Sequence, residues 1–356
     1  MSERLGPSTR AVHAGLPAGA QGDPFLPGPV LAAPFHLRGA PEDSEYGYAR
    51  DGNPTWPHLE RALGELDGGE AVAFASGMAA VSAVVLPRLR PGDVLVATGD
   101  GYPGIRLLAA QDLEPHGVEV RLVPTDTEAI LAAVDGAALV WVETPSNPAL
   151  NVCDVDAVVA ASRATGALVA VDNTVATPLG FRPLDHGADF AMVSGTKSLT
   201  GHADVLLGAV SVRDPVLADE LREWRTRSGS VIGPFEAWLA HRSLATLGLR
   251  LERSQANAQA LAAALAGRDD VTGVRWPGVG AVLALTLESA ERAQAFLDGC
   301  ELVYEATSFG GVHSTAERRA RWGTDDVPAG FIRFSAGCED TADLVADVLR
   351  ALDNSR

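Results

Sequence analysis

One residue stands apart by its chemistry: Lys197 is the sole lysine of the chain, and the other 27 of its 28 basic residues are arginine. A site that needs only positive charge accepts arginine, which keeps its proton. A lysine amine can lose its proton and then act as nucleophile or base. The preceding Ser194-Gly195-Thr196 places two hydroxyls beside the amine, after an apolar run that reads as a strand. A lysine at the end of a buried strand is costly unless it is paired or chemically used. Three other stretches offer groups that such an amine could work with. Ser76-Gly77-Met78 opens a helix directly after a strand. Backbone N–H groups and the helix dipole there suit a phosphate dianion, and glycine lets it approach closely. Asp172 ends a strand, where its carboxylate could pair with a protonated ring nitrogen or equally cap the turn at Asn173-Thr174. Tyr102 could stack on a flat aromatic ring. A Schiff-base amine, a phosphate cradle, a carboxylate and an aromatic stack are together the parts of a site for pyridoxal 5'-phosphate (PLP).

Residues 1–45 are rich in proline and glycine and read as an extended arm that needs a surface to lie on, its own body or a neighbouring subunit. Thr55 is placed to cap the helix that follows, with Pro57 in its first turn. From there short apolar runs alternate with helical patterns. Strands are expected at Ala71–Ala75, Val94–Thr98, Val118–Val123, Ala138–Glu143, Leu168–Asp172, Phe190–Ser194 and Val205–Val212. Helices are expected at Met78–Leu89, Ile105–His116, Thr127–Val134 and Val155–Thr165. Such alternation predicts an α/β fold with a mostly parallel seven-stranded sheet and helices on both faces, whose ligands sit beyond the carboxyl ends of the strands. After Gly233-Pro234 the texture changes to long Ala/Leu/Arg-rich helices and three further strands, at Val271–Trp276, Ala281–Leu287 and Ile332–Ser335. The expected organisation is an arm (1–45), a large α/β domain (46–233) and a smaller C-terminal α+β domain (234–356). Gly99-Asp100-Gly101-Tyr102-Pro103-Gly104 matches a dinucleotide-binding fingerprint. Pro103 removes an N–H that such a turn would offer to phosphate, so the stretch reads instead as a tight turn presenting Tyr102.

The net charge of −18 and pI near 4.8 argue against binding nucleic acid or an anionic membrane. Cys153, Cys300 and Cys338 are odd in number and far apart, with no zinc-type spacing, so neither a disulfide framework nor a metal site is indicated. No secretory signal or membrane-spanning run is seen, and a cytoplasmic protein is expected.

Several segments, in order, make the chain similar to the Cys/Met-metabolism PLP enzymes. They are Tyr48-Ala49-Arg50-Asp51-Gly52-Asn53-Pro54-Thr55, Ala73-Phe74-Ala75-Ser76-Gly77-Met78, Val142-Glu143-Thr144-Pro145-Ser146-Asn147-Pro148, Asp172-Asn173-Thr174, Ser194-Gly195-Thr196-Lys197 with Gly201-His202-Ala203-Asp204, and Ile332-Arg333-Phe334-Ser335. The resemblance covers about residues 46–340. It implies the aspartate aminotransferase-like (type I) PLP-dependent transferase fold, with Lys197 as the Schiff-base lysine and mobile acid–base. Asp172, with Thr174 beside it, would face the ring nitrogen, and Tyr102 would stack on the ring and assist proton transfer. Gly77, Met78, Ser194 and Thr196 would hold the phosphate. Tyr48 and Arg50 would reach the phosphate in a neighbouring subunit, making the unit a homotetramer built as a dimer of dimers. Arg333, with Asn147, Ser308 and Thr307, would bind the substrate, Arg333 clamping its α-carboxylate. The implied reaction is cystathionine γ-lyase-like cleavage of a sulfur amino acid. Alternatives are γ-replacement on an O-acyl-homoserine and β-elimination. The chain departs from that pattern by a missing loop after Gly278. It also carries Thr307 before Ser308-Phe309-Gly310-Gly311, where many γ-lyases and γ-synthases have glutamate.

Overall fold

The computed structural model describes residues 5–356 and is built on two sheets. The first contains β1 (Glu70–Phe74), β2 (Val94–Thr98), β3 (Glu119–Val123), β4 (Leu139–Glu143), β5 (Leu168–Asp172), β6 (Phe190–Val193) and β7 (Gly208–Val212), in the order β1-β7-β6-β5-β4-β2-β3. Every pairing is parallel except the two made by β7, which is antiparallel to both β1 and β6. The exception has a simple origin. The other parallel neighbours are joined through crossover helices, whereas β6 and β7 are joined by a loop, and an antiparallel pair needs no crossover. That loop carries Lys197.

The strands are apolar on both faces because helices cover both. Along β4, Leu139 and Trp141 pack with Phe74 and Phe190 beneath the helix Gly77–Val85, while Val140 and Val142 pack on the opposite side with Val158 and Val159 of the helix Val155–Thr165. The helix expected over Ile105–His116 is instead Pro103–Leu108 followed by a π turn (Ala109–Leu113) and a 3-10 turn (Glu114–His116). Pro115, inside this stretch, has no N–H to continue an α-helical ladder.

The second sheet contains β8 (Thr272–Arg275), β9 (Val282–Thr286), β10 (Tyr304–Glu305), β11 (Thr315–Arg318) and β12 (Phe331–Ser335), in the order β10-β11-β12-β9-β8. The short strands β10 and β11 lie outside the sequence expectation. Along β12, Ile332 and Phe334 enter a core with Leu283, Leu285, Phe296 and Leu344. The two-residue period turns Phe331 and Arg333 to the other face, where Phe331 packs with Leu150 and Val175 of the first layer. The same alternation that builds this core therefore aims Arg333 at the first sheet. We propose the division of the chain into 1–45, 46–233 and 234–356, with the helix Pro234–Leu244 as its connector. Ala237, Ala240 and Leu244 of that helix pack with Trp56 and Leu59.

The arm is not wholly extended: Pro7–His13 is helical, and Ala11 and Ala14 pack with Trp56 and Leu59. Thr55 does not cap the helix Trp56–Asp67. Its hydroxyl accepts from Val30 N at 2.9 Å, pinning the arm to the body. Among the described residues no helix is long and apolar enough to cross a membrane.

Candidate active site

Lys197 lies in a tight coil after β6, where its N–H donates to Ser194 O at 3.1 Å and its carbonyl accepts from Gly201 N at 2.9 Å. The Nζ atom donates to Ser308 Oγ at 2.8 Å and stands 5.2 Å from the centre of the Phe309 ring. Burial lowers the amine from its ordinary 10.5 to about 8, and the charge of Arg333 pushes the same way. Glu317 and Asp172 act against the shift. The environment thus delivers an amine within reach of its neutral, proton-accepting form near physiological pH.

The amine faces a cleft of about 330 Å³ at the carboxyl edge of the first sheet. Four features of its wall fit PLP. Ser76 caps the helix Gly77–Val85, its Oγ accepting from Ala79 N at 3.2 Å, so the first N–H groups of that helix meet the cleft. A Cβ on Gly77 would stand 2.8 Å from Ser194 Oγ and 2.9 Å from Ser194 Cβ, so the space beside those N–H groups exists because residue 77 is glycine. Asp172 is 8% exposed. Its Oδ1 accepts from Thr174 N at 3.0 Å and Thr174 Oγ1 at 2.5 Å, while Oδ2 has no partner among the described residues. Burial raises this carboxyl above the usual range, against the pull of the Thr174 bonds and of Lys197, so a cationic ring nitrogen set against Oδ2 would relieve it. Tyr102 lines the cleft and is 47% exposed. The glycines around it serve packing. A Cβ at Gly101 would meet Glu143 Oε2 at 2.5 Å, and one at Gly104 would meet Met78 Sδ at 2.4 Å.

Thr174 also accepts from Ser194 N at 2.8 Å, locking the strand ends of β5 and β6 together. Thr196 lines the cleft, but its hydroxyl donates to Leu207 O at 3.1 Å and accepts from Leu207 N at 3.0 Å. Its O–H is thus spent on the loop, leaving Ser194 and the helix N–H groups as the free donors to a phosphate.

A further wall of the cleft is contributed by the second sheet. Arg333 is 4% exposed; it donates to Asn147 Oδ1 and to the Ser308 carbonyl, each at 2.8 Å, and to Glu317 Oε1. Ser308 is therefore held from both sides, by Lys197 at its hydroxyl and by Arg333 at its carbonyl. It takes φ +80°, a left-handed conformation that costs a non-glycine residue roughly 1–2 kcal/mol and is offset here by those two charged donors. Thr307 lines the cleft and reaches Glu317 Oε1 at 3.3 Å.

The structure thus brings Lys197, Tyr102, Gly77, Met78, Asp172, Thr174, Ser194, Thr196, Arg333, Asn147, Ser308 and Thr307 to one cleft. Tyr48 and Arg50 do not join it. They face outward, Tyr48 49% exposed, with the Arg50 guanidinium 5.7 Å from its ring centre. Three cleft-lining or supporting residues carry no role in the sequence reading: Glu143, Glu317 and Arg319. Glu143 Oε2 accepts from Tyr102 N at 2.6 Å and Oε1 from Asn147 N at 2.7 Å, so one buried carboxyl positions both Tyr102 and the Asn147 that Arg333 holds. Burial and the neighbouring Asp172 push its pKa well above the usual carboxylate range. The signal for it was present, a carboxylate closing an otherwise fully apolar strand.

The Cys/Met metabolism PLP-dependent enzyme family matches residues 8–353. A Streptomyces coelicolor protein provisionally named a cystathionine γ-lyase is 55% identical, over 98% of this chain and 94% of its own. The cystathionine γ-synthase of Mycobacterium tuberculosis is 37% identical over 98% of this chain and 97% of its own. A methionine γ-lyase crystal structure from Micromonospora echinospora superposes with a TM-score of 0.92 at 37% identity, covering 99% of this chain and 100% of that one. With the fold, the cleft and these likenesses in agreement, the chain belongs to the Cys/Met metabolism family of PLP-dependent enzymes.

Proposed function

We propose that this enzyme cleaves the Cγ–S bond of L-cystathionine, taking up water and releasing L-cysteine, 2-oxobutanoate and ammonia. The observation that carries the reading is the double hold on Ser308. It sets a low-pKa amine and a carboxylate-binding guanidinium on opposite sides of one residue, as an α-amino acid requires if its Cα proton is to meet the amine. The 55% identical relative favours the γ-lyase reaction.

The backbone N–H groups of Gly77 and Met78, with the Ser194 hydroxyl, would hold the phosphate, and Thr196 would shape its pocket while its hydroxyl stays bonded to Leu207. Asp172, steadied by Thr174, would face the ring nitrogen, and Tyr102 would cover the ring. PLP, when bound, supplies a sink for the electron pair left at Cα. Arg333 and Asn147 orient the α-carboxylate, with Ser308 and Thr307 beside them. Lys197 takes the Cα proton at Nζ and moves protons between Cα and Cβ, and Tyr102 donates one to the departing sulfur. Tyr48 and Arg50 would complete the phosphate site of a second copy. The exposed Phe25 (93%) and Leu31 (74%) on the preceding arm support a subunit contact nearby, and a homotetramer is the expected assembly.

A second reading, γ-replacement on an O-acyl-homoserine, uses the same residues and is favoured by the γ-synthase relative. Purified holoenzyme given cystathionine alone, then an acyl-homoserine with cysteine or sulfide, separates them. Keto acid and cysteine from cystathionine alone support elimination, whereas cystathionine (with cysteine) or homocysteine (with sulfide) formed only from the second mixture, with release of the acyl group as its acid, supports replacement. If Lys197→Ala keeps both the visible cofactor absorbance and turnover, both readings fail.

A further inference from the structure

Arg333 does not stand alone behind the cleft. Its cross-strand neighbour on β11 is Glu317, fully buried, and the two are ion-paired. Left as a simple pair, they would neutralise each other, and an incoming carboxylate would have to compete with Glu317 for the guanidinium. The structure holds a second cation on the same carboxylate. Arg319, whose side chain is 7% exposed and which also lines the cleft, donates from Nη1 to Glu317 Oε1 at 2.8 Å. Its Nε and Nη2 are occupied by Asp325 Oδ2, at 2.8 and 2.6 Å. Asp325 Oδ1 has no hydrogen-bond partner among the described residues and lies 3.8 Å from Arg106 Nη2. Arg106 in turn donates to the Gly99 and Gly101 carbonyls of the Tyr102 turn, at 2.5 and 2.8 Å, and to Thr324 O.

The cluster is an alternating row: Arg333, Glu317, Arg319, Asp325, Arg106. Three guanidiniums face two carboxylates, so it carries one positive charge in excess. Arg321, which approaches Glu317 at 3.5 Å, brings its own counter-charge, Glu305. One monoanion at Arg333 balances the row. The remaining acceptor on Glu317, Oε2, is satisfied by Trp322 Nε1 at 2.9 Å, so the shared carboxylate is fixed in place and does not swing to meet the ligand.

We propose that Arg319 is a positioning residue for the substrate α-carboxylate: by sharing Glu317, it leaves Arg333 with positive charge to give to the anion. The inference rests on Arg333 as the carboxylate-binding residue. It assigns opposite effects to the two neighbours of Glu317. Removing the Arg319 charge hands Glu317 wholly to Arg333 and closes the site to anions. Removing the Asp325 charge frees Arg319 to draw Glu317 away and opens it.

The test uses the holoenzyme, titrated by calorimetry with L-alanine and with ethylamine, the same amine without its carboxylate. Arg319→Gln should weaken L-alanine binding by about tenfold or more, the scale of one charged hydrogen bond, and leave ethylamine within about twofold. In turnover KM should rise while kcat stays within about twofold. Arg319→Lys, which keeps the charge, should recover most of the loss, and Asp325→Asn should bind L-alanine as tightly as wild type or more tightly. The proposal is overturned if Arg319→Gln binds L-alanine as wild type does, if it loses both probes equally, or if Asp325→Asn also weakens L-alanine alone. Should Arg319→Gln not fold, the sign of the Asp325→Asn effect decides. Arg333→Gln separates the two levels: if it retains L-alanine binding, the assignment of Arg333 fails, whereas loss there with no change in Arg319→Gln removes only the role of Arg319.

Discussion

Replacing Lys197 by methionine should stabilise the cofactor-free protein while abolishing its activity. The side chains are close in volume, so packing is kept. What changes is a buried charge. Burial and Arg333 lower the amine from 10.5 to about 8, and at roughly 1.4 kcal/mol per unit the folded state holds the protonated amine at a cost of about 3 kcal/mol. Below pH 8 the amine is protonated in both folded and unfolded chains, so the full cost is present. Between pH 8 and 10.5 the unfolded chain binds a proton that the folded chain does not, and wild-type stability rises through that window. Above 10.5 both are neutral and the cost is gone. Lys197→Met never bears it. Denaturant unfolding of the two cofactor-free proteins should therefore show the variant ahead by about 2–3 kcal/mol at pH 7, with the gap shrinking to near zero by pH 10.5. The other titrating groups are common to both proteins and drop out of the difference. A wild type more stable than the variant at pH 7, or a gap that does not change with pH, would show that the Ser308 and Phe309 surroundings favour the cation, and the argument for a proton-accepting Lys197 would lose its physical basis.

Three further outcomes follow from the same geometry. Gly77→Ala puts a methyl group 2.8 Å from Ser194 Oγ, so PLP affinity measured by equilibrium dialysis should fall at least tenfold, with the cofactor-free unfolding midpoint little changed. Asp172→Asn removes the unpartnered carboxylate oxygen while keeping an acceptor for Thr174, and turnover should drop by about two to three orders of magnitude with PLP still bound as judged by its visible absorbance. Mixing Arg50→Ala subunits with Lys197→Met subunits, each inactive alone, should restore about a quarter of wild-type activity, because random pairing gives half the dimers one intact site of two; no recovery would place Arg50 outside the partner's site.

The sheet and the Lys197 side of the cleft were legible because they rest on local rules. Buried parallel strands read as apolar runs, glycine and a small hydroxyl residue mark the strand-to-helix turn at Ser76-Gly77, and a sole lysine among 27 arginines advertises an amine. Proline also explains where the 103–116 helix fails. Thr55 was misread because capping is a local expectation and its hydroxyl was claimed by Val30, 25 residues away. The second-sheet side of the cleft was hidden for a related reason. Strand β11 is only Thr315 to Arg318, with one apolar residue, Ala316, facing the core. Four residues with so little alternation carry no readable period, and Glu317, Arg318 and Arg319 look like a solvated charge run.

Their meaning appears only in cross-strand register, where Glu317 falls opposite Arg333 and is driven to zero exposure between two guanidiniums. The carboxyl group is held below its usual range despite that burial, because Arg333, Trp322 and Arg319 all favour its charged form. A charge run is expected to face water, and this one does not. Its interior placement costs desolvation that only fully paired partners offset, and the pairing extends through Asp325 and Arg106 to the Tyr102 turn. The same row of charges that lets the second sheet bury an arginine over the cleft also ties that sheet to the turn presenting Tyr102. Substitutions along it should therefore be felt in stability as well as in carboxylate affinity.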